Sequence, residues 1–445
     1  MKRFAVIAAA LCVAIMMAVP ASALEITTDG YYRARYIGAW NVKMTDQDDV
    51  DNGGNSYGDM RLRVNNVIKV NDNLSLRTRF RAANTVWGTG GTELEWKRAW
   101  LVARFNFGIM EVGRMQGGTW GTSFADTERD ADRIKFTIPM GPVTLLAIYE
   151  KIAERDNQFK TVDTDKDALF LAGVWKAETM SAGLLGAWIP NKINSDLIPQ
   201  GTASALDNRT YANQYALLPF FTGKWGAFGF QAEGRWDFGK AKDFVDEVRS
   251  DGSINKDGDF KGWSLNLEGS FDFGMGSAQL GYAYVTGQER DYVNGVQVYS
   301  NDVTGGQIGA DWAKLYILTG DTGPTSGTGA LGGIGAFGAG GNPDGISLLY
   351  GGADFKPMEN LSLGFMLGWG KANETWDGQD TDLGWEIDLI AKYTIFDNLT
   401  NTFKVAYLGS GDYWKGSKYD DDAAYIDDKF DKDVWAIFNE LKLSF

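Results

Sequence analysis

Charged and apolar residues alternate within the stretch 59–84. Arginine occupies every second position in two runs, at Arg61, Arg63, Arg77, Arg79 and Arg81. Successive side chains of a β-strand point to opposite faces, so residues two apart share a face. The pattern predicts two strands, each with one cationic face and one largely apolar face.

The same alternation recurs to the end of the chain. Between positions 31 and 36, Tyr31, Arg33 and Arg35 alternate with apolar or aromatic residues, and segments around Trp263 and Trp385 follow the same rule. Segment 95–105 is irregular because two basic residues are adjacent at positions 97 and 98. Alternation of this kind predicts half-buried strands, and the chain is therefore predicted to be all-β.

Short and long connections alternate between the predicted strands. The short ones lie near positions 71–73, 106–108, 139–141, 177–179, 225–226, 274–276, 357–359 and 397–398. Long polar loops lie between them, and the longest, Glu289–Asp344, ends in a glycine-rich run. This arrangement is typical of a closed, antiparallel transmembrane β-barrel with short periplasmic turns and long extracellular loops. It predicts about 18 strands, with 16 as the alternative. We assign segment Asp311–Gly320 to the longest loop, with an extra strand as the alternative.

The N-terminus predicts export. Lys2 and Arg3 precede the apolar run Phe4–Val19, and small residues at positions 21–23 form a cleavage site. We interpret residues 1–23 as a cleaved signal peptide and 24–445 as the barrel domain. No later apolar run is long enough for a membrane helix, so a membrane-spanning form has to be a closed barrel.

Composition excludes several classes of function. The chain contains no histidine, and its only cysteine, Cys12, lies in the predicted signal peptide. Histidine-dependent catalysis and histidine metal sites are thereby excluded, and we expect no enzyme; a barrel hydrolase is a remote alternative. The net charge of −15 argues against nucleic acid as a partner.

The arginines are expected to face the barrel interior. A charge on the lipid face at mid-membrane costs about 2–4 kcal/mol, so a run of charges there is untenable. The predicted basic wall comes from the first three strands and comprises Arg33, Arg35, Arg61, Arg63, Arg77, Arg79 and Arg81.

Two motifs carry a family resemblance. The chain ends in WAIFNELKLSF, in which Leu441, Leu443 and Phe445 alternate with polar residues. This ending resembles the signal by which the barrel-assembly machinery recognises Gram-negative outer-membrane proteins. The segment Glu111–Gln116 resembles the one that leads into the third loop of trimeric porins. The whole chain is most similar to the abundant porins of Desulfovibrio-type sulfate-reducing bacteria.

The resemblance implies a homotrimer with one pore per subunit, narrowed by an inward-folded third loop. Here that loop would be Gly117–Arg133, and its carboxylates Asp126, Glu128, Asp130 and Asp132 would lie across from the basic wall. The chain departs from the family in placing Arg129 and Arg133 in this loop and in the size of its longest loop. The departures leave ion selectivity open. The overall negative charge slightly favours a preference for cations.

The expected function is an outer-membrane porin for passive diffusion of small hydrophilic solutes and ions, in contact with lipid and lipopolysaccharide. A channel selective for sugars or a particular anion is the alternative. No cofactor is expected, although carboxylate oxygens can bind Ca²⁺. The candidate ligands lie in the last loop, at Asp420, Asp421, Asp422, Asp427 and Asp428.

Overall fold

A computed structural model describes most of the chain. The described residues are 25–41, 55–90, 93–154, 165–192, 211–242, 257–293, 296–300, 302–309, 311–319, 344–416 and 433–445. The predicted signal peptide and the candidate Ca²⁺ ligands lie outside these ranges, and so does the glycine-rich end of the longest loop.

The described chain forms β-strands almost throughout. The first eleven are β1 (Glu25–Trp40), β2 (Asn55–Asn71), β3 (Leu74–Val86), β4 (Glu95–Phe105), β5 (Gly108–Gly117), β6 (Arg129–Met140), β7 (Val143–Ala153), β8 (Lys166–Lys176), β9 (Met180–Lys192), β10 (Tyr211–Trp225) and β11 (Phe228–Lys242). The remaining ten are β12 (Gly258–Phe260), β13 (Trp263–Asp272), β14 (Gly276–Val285), β15 (Arg290–Val293), β16 (Val296–Tyr299), β17 (Ile346–Met358), β18 (Leu361–Lys371), β19 (Asp382–Phe396), β20 (Leu399–Ser410) and β21 (Val434–Ser444). A short 3-10 helix, Asp412–Gly416, precedes the last strand.

The strands close into one antiparallel barrel. Each barrel strand pairs with its neighbour in sequence, and β21 pairs with β1 from Trp40↔Trp435 to Tyr31↔Ser444. Strands β12 and β13 both pair with β11 and form one interrupted strand, while β15 and β16 form a separate hairpin. The barrel therefore has 18 strands in the described part of the chain, which confirms the predicted fold and strand number.

The eight predicted short turns lie at one end of the barrel, here called the turn end, and the long connections lie at the other, the loop end. Gly226 illustrates why the turns can be short. Its φ of 61° is a conformation that glycine adopts at little cost, and it lets β10 continue directly into β11.

The outer face of the barrel is apolar. In β6, Ile134, Phe136 and Ile138 are each more than a third exposed, whereas the inward Ala131 is buried. Of the large apolar side chains described, Phe396 at 70 % and Phe107 at 65 % are the most exposed, and both lie beside short turns. An exposed apolar band with rings at its edge is the surface expected of a transmembrane barrel. No helix among the described residues is long and apolar enough to span a membrane.

The largest hydrophobic cluster lies inside the barrel. Residues 311–319 of the longest loop, here called the inner segment, place Trp312, Leu315 and Ile317 against inward side chains of β14, β17–β21 and β1. The assignment of this segment to the longest loop, rather than to an extra strand, is confirmed. Its packing fills the interior near the loop end on that side of the barrel.

Candidate pore constriction

The seven arginines of the basic wall share the inner face of β1, β2 and β3. Arg33 lies opposite Arg61, Arg63 opposite Arg81, and Asn65 opposite Arg79. Tyr32 and Tyr36, at the intervening positions of β1, are exposed on the outer face. The pairing register therefore directs the arginines to the barrel interior, as we predicted.

Arg35, Arg61 and Arg81 have specific partners on the first four strands. Arg35 is only 4 % exposed and forms two hydrogen bonds to Asp59, at 2.7 and 3.0 Å. Arg61 donates to the side chain of Asn84 at 2.6 Å, and Arg81 pairs with Glu95 at 2.7 Å. Arg35 is consequently a buried part of the wall, rather than a group that a solute could contact.

Arg33 and Arg77 differ from the others. Neither has a carboxylate within 4 Å among the described residues. The Nε atom of each is buried without a hydrogen-bond partner there, as is that of Arg81, whose Nη2 nevertheless pairs with Glu95. Lys442 of β21 lies directly opposite Arg33 and adds another cation to the same row. The middle of the wall therefore carries an excess of positive charge.

The third loop crosses the interior. It spans residues 118–128, shorter than predicted, because β6 already begins at Arg129. Trp120 donates its indole N–H to the carbonyl of Leu218 at 2.8 Å, and the main-chain N–H of Thr122 donates to Glu233 at 2.7 Å. The tip is thus fixed to the inner faces of β10 and β11, across the barrel from the arginines.

Glu128 connects the third loop to the basic wall. Its Oε1 lies 2.5 Å from Arg98, 2.8 Å from Arg79 and 3.8 Å from Arg63. Burial works to raise the pKa of Glu128, but the hydrogen bond and charge of Arg98, followed by Arg63 and Arg79, lower it below its usual value. Glu128 is therefore an anion shared by three guanidinium groups.

Asp126 has a different environment and does not contact the arginines. Its carboxylate accepts the main-chain N–H of Trp120 at 2.5 Å, and its carbonyl accepts that of Asp311 at 2.9 Å. Burial raises the pKa of Asp126 to about 6, and the charges of Asp311 and Glu128 add to the rise. It lies at the junction of the two loops, not opposite the basic wall as we expected.

The remaining predicted loop carboxylates belong to β6. Asp130 binds Arg98 at 2.6 Å. Asp132 instead pairs with Arg114 at 3.1 Å; both are more than half exposed and share the face that carries Ile134. Asp132 is therefore not part of the constriction, because the strand alternation that begins at Arg129 turns it away from the interior.

The two arginines noted as a departure from the family hold a carboxylate of the next strand. Arg129 and Arg133 both pair with Glu150 of β7, which is fully buried. Glu150 offsets one of these two positive charges, so the two arginines do not simply reverse the sign of the third loop.

The inner segment is the part of the constriction that the sequence did not reveal. Its main-chain N–H groups at Tyr316, Ile317 and Leu318 donate to Asp388 and Glu386 of β19 at 2.6–2.8 Å. Gly309, just before it, donates to the carbonyl of Phe124 in the third loop at 2.7 Å. Two loops therefore narrow the interior together.

A cavity of about 330 Å³ remains between the third loop and the inner faces of β6 to β11. Its apolar lining includes Trp120, Ile148 and Phe170, and its polar lining includes Arg133 and Gln214. Mixed apolar and charged groups on an inner barrel wall provide contacts for both parts of an amphipathic solute.

Metal binding receives no support within the described ranges. They contain no group of three or more carboxylate, cysteine or histidine residues that could hold an ion. The predicted Ca²⁺ ligands of the last loop fall outside them.

Comparison with known proteins identifies the fold. No model of a protein family matches the sequence, and none of the curated proteins matches it. Solved structures of Pseudomonas aeruginosa proteins, in contrast, are similar to this chain in fold. The outer membrane protein OprD has a TM-score of 0.54 and 13 % identity over 95 % of this chain and 94 % of that one. OpdL has a TM-score of 0.54 and 10 % identity over 95 % and 99 % of the two chains, and OccK8 (OprE) a TM-score of 0.54 and 12 % identity over 95 % and 98 %.

Proposed function

We propose that the protein is an outer-membrane channel through which small hydrophilic solutes and ions diffuse passively. The observation that carries the proposal is a closed 18-strand barrel with an apolar outer face and an arginine-rich inner face, narrowed by two loops. Charged side chains on the inner face are solvated if the interior is filled with water, whereas their burial in a packed core would cost free energy. The similarity in fold to OprD is consistent with this reading.

The basic wall gives the proposed path its electrostatic character. Arg33 and Arg77 form no ion pair within 4 Å with a described carboxylate, and Glu128 is outnumbered by the three arginines that it binds. Cations fixed along a narrow passage raise the local concentration of anions and repel other cations. We therefore propose a preference for anionic solutes, opposite to the slight lean that the net charge gave.

Planar-bilayer recording of the purified protein tests the channel. We expect discrete current steps and, across a salt gradient, a reversal potential of the sign that anion flow produces. Absence of any current from correctly folded protein would contradict the channel. A cation-selective reversal potential would contradict the role given to the basic wall.

A substrate-selective channel is the second candidate, and the cavity beside the third loop favours it. A site of about 330 Å³ that offers Trp120 and Phe170 together with Arg133 could retain a solute with an apolar body and a polar group. Liposome swelling with a series of small carboxylates distinguishes the two. Saturable uptake of one solute favours selectivity, and rates that depend on size alone favour general diffusion.

Self-association is part of the proposal. Polar side chains lie on the outer face of neighbouring strands, where Asn66 contacts Thr28 and Thr78, and Asn401 pairs with Asn439. Amide groups that face hydrocarbon retain unsatisfied hydrogen-bonding capacity at a cost, which contact with another subunit removes. We propose a homotrimer that uses the outer face of β20, β21 and β1 to β3, in an outer membrane containing lipopolysaccharide.

Export and assembly complete the proposed pathway. The predicted signal peptide, residues 1–23, would direct the chain across the inner membrane, and the barrel-assembly machinery would recognise Leu441, Leu443 and Phe445. These three side chains are exposed on the outer face of the closing strand, where a binding partner could reach them before insertion.

A further inference from the structure

The geometry points to Arg98 as the residue that fixes the position of the third loop, and through it the current and selectivity of the channel. This inference rests on the proposed function. Arg98 belongs to β4, outside the wall of seven arginines that the sequence suggested, and it is 3 % exposed. It acts on the passage as a positioning residue, through the loop.

One guanidinium group binds both legs of the loop. On the leg that enters the loop, Arg98 Nη1 donates to the side chain of Gln116 at 3.2 Å. On the leg that leaves it, Nη2 donates to Glu128 at 2.5 Å and Nε donates to Asp130 at 2.6 Å. Arginine's planar set of donors can serve several acceptors in fixed directions, which a lysine cannot do.

The barrel wall separates at this site. Strands β4 and β5 pair from Phe105↔Gly108 only as far as Ala99↔Arg114, whereas β4 continues beside β3 to Arg81↔Glu95. Past Ala99, main-chain hydrogen bonds of β4 no longer hold the hairpin that carries the third loop. The contacts of Arg98 replace the missing ladder at the root of the loop.

A β-bulge aims Arg98 at this gap. Arg79 pairs with Arg98 and Phe80 pairs with Trp96, so Lys97 is an extra residue in β4. A bulge shifts the direction of the side chains that follow it. Because Lys97 is inserted between them, Trp96 lies exposed on the outer face while Arg98 points inward to the root of the loop.

The other contacts of the third loop hold its tip or join its legs to each other, and they do not replace the attachment of the root to β4. The loop tip is fixed at Leu218 and Glu233, and Phe124 is fixed by the inner segment. The legs themselves are joined to each other, because β5 and β6 pair as far as Gly117↔Arg129 and Arg133 donates to the carbonyl of Gln116. Besides Arg98, the described part of β4 reaches these legs through Lys97, whose Nζ lies 3.9 Å from Asp130. Arg79 of β3 binds Asn65 and Glu128, so of the two legs it reaches only the one that leaves the loop. Arg98 is therefore the main attachment of the joined legs to β4.

Arg98→Met tests the role, with Arg81→Met as the matched control. Arg81 carries the same charge on the inner face of the neighbouring strand β3, and it pairs with Glu95 rather than with the loop. We expect Arg98→Met to add rapid fluctuations between conductance levels, while Arg81→Met shifts selectivity with a steady open current. Arg98→Lys keeps the charge and should fluctuate nevertheless. Equal, steady currents from Arg98→Met and Arg81→Met, or wild-type behaviour of Arg98→Lys, would overturn the inference.

Hydrogen exchange separates this inference from the proposed function. In detergent-folded Arg98→Met, main-chain amides of residues 115–130 should exchange about tenfold faster than in Arg81→Met, a factor that corresponds to about 1.4 kcal/mol. This readout does not require the protein to conduct. Faster exchange from a protein without channel activity would preserve the positioning role and refute the channel, and unchanged exchange would refute the positioning role.

Discussion

The rings of Phe124 and Trp312 meet edge to face, with centroids 5.3 Å apart, and both side chains are almost completely buried. Phe124 belongs to the third loop and Trp312 to the inner segment, so the contact joins the two elements that narrow the barrel. Trp312 also contacts Tyr350 of β17 at 5.5 Å. The third loop is therefore connected to the far wall through the inner segment.

Trp312→Ala should loosen this connection. Removing a buried tryptophan typically destabilises the folded state by about 3–5 kcal/mol. Here we expect most of this loss to weaken the packing of the inner segment against the barrel wall. We expect a larger single-channel conductance and earlier protease cleavage within the inner segment. Trp96→Ala serves as the control because Trp96 is 64 % exposed on the outer face. Equal conductance and cleavage in the two variants would show that the ring contact does not hold the loops together.

Replacing Arg77 and Arg79 with serine should raise conductance and move selectivity toward cations. Two long, permanently charged side chains leave the wall, and Glu128 loses one of its partners. Glu128→Gln should move selectivity toward anions, since it leaves Arg63, Arg79 and Arg98 without their shared carboxylate.

Reversal potentials across a salt gradient measure both shifts. Each should shrink at high salt, because about 1 M salt reduces the screening length to roughly 3 Å. If neither variant changes the reversal potential, the basic wall does not line the conducting path.

Much of the fold follows from local pattern. The inward direction of Arg61, Arg63 and Arg79 was predictable because strand alternation is strict and charge is excluded from lipid. Turn residues such as those near Gly226 marked the strand ends. The strand number followed from the eight short turns, with no knowledge of contacts between distant residues.

The constriction depends on contacts that alternation does not contain. Arg98 looked like an irregularity because the bulge at Lys97 appears only when β4 is paired with β3. Glu386 and Asp388 looked like ordinary polar positions of β19, yet they bind main-chain groups of the inner segment. Asp132 was misplaced because the boundary between loop and strand decides which way it points.

Asp126 should make the junction of the loops sensitive to pH. Its pKa in the folded protein, about 6, lies above the usual value of an aspartate in an unfolded chain, about 3.9. Between these values the folded state binds more protons, so stability at the junction decreases as pH rises through the window and is lowest above pH 6. We expect a current that is quieter at pH 5 than at pH 7.5.

The Asp126→Asn variant isolates this effect. An amide keeps the acceptor for the Trp120 N–H and cannot ionise beside Asp311 and Glu128. Its current noise should be nearly independent of pH over this range. A pH dependence as large as that of the wild type would assign the titration to another group.

Phe445→Ser should impair assembly more than it alters the finished channel. Main-chain groups of Phe445 and Gly30 hydrogen-bond reciprocally at 2.8 and 3.1 Å where the barrel closes, and these bonds do not require the ring. The ring itself is half exposed, so its loss costs little packing. We expect strongly reduced amounts in the outer membrane but wild-type conductance in the channels that form. Wild-type amounts in the membrane would remove the assembly role.

The outer-face asparagines should control self-association. We expect the wild-type protein to migrate as a trimer in SDS without heating and as a monomer after heating. Asn439 is the central residue of β21, and its amide pairs with Asn401 at 3.2–3.3 Å on the outer face. Replacing Asn66 and Asn439 with leucine makes this face as apolar as the surrounding lipid. Because lipid then competes equally for it, the trimer should dissociate at a lower temperature.

Gly269→Leu is the control, since it adds a leucine to the outer face of β13, where a Cβ meets no atom within 4 Å. A monomeric wild-type particle in mild detergent would refute the trimer, and equal melting of both variants would place its interface on another face of the barrel.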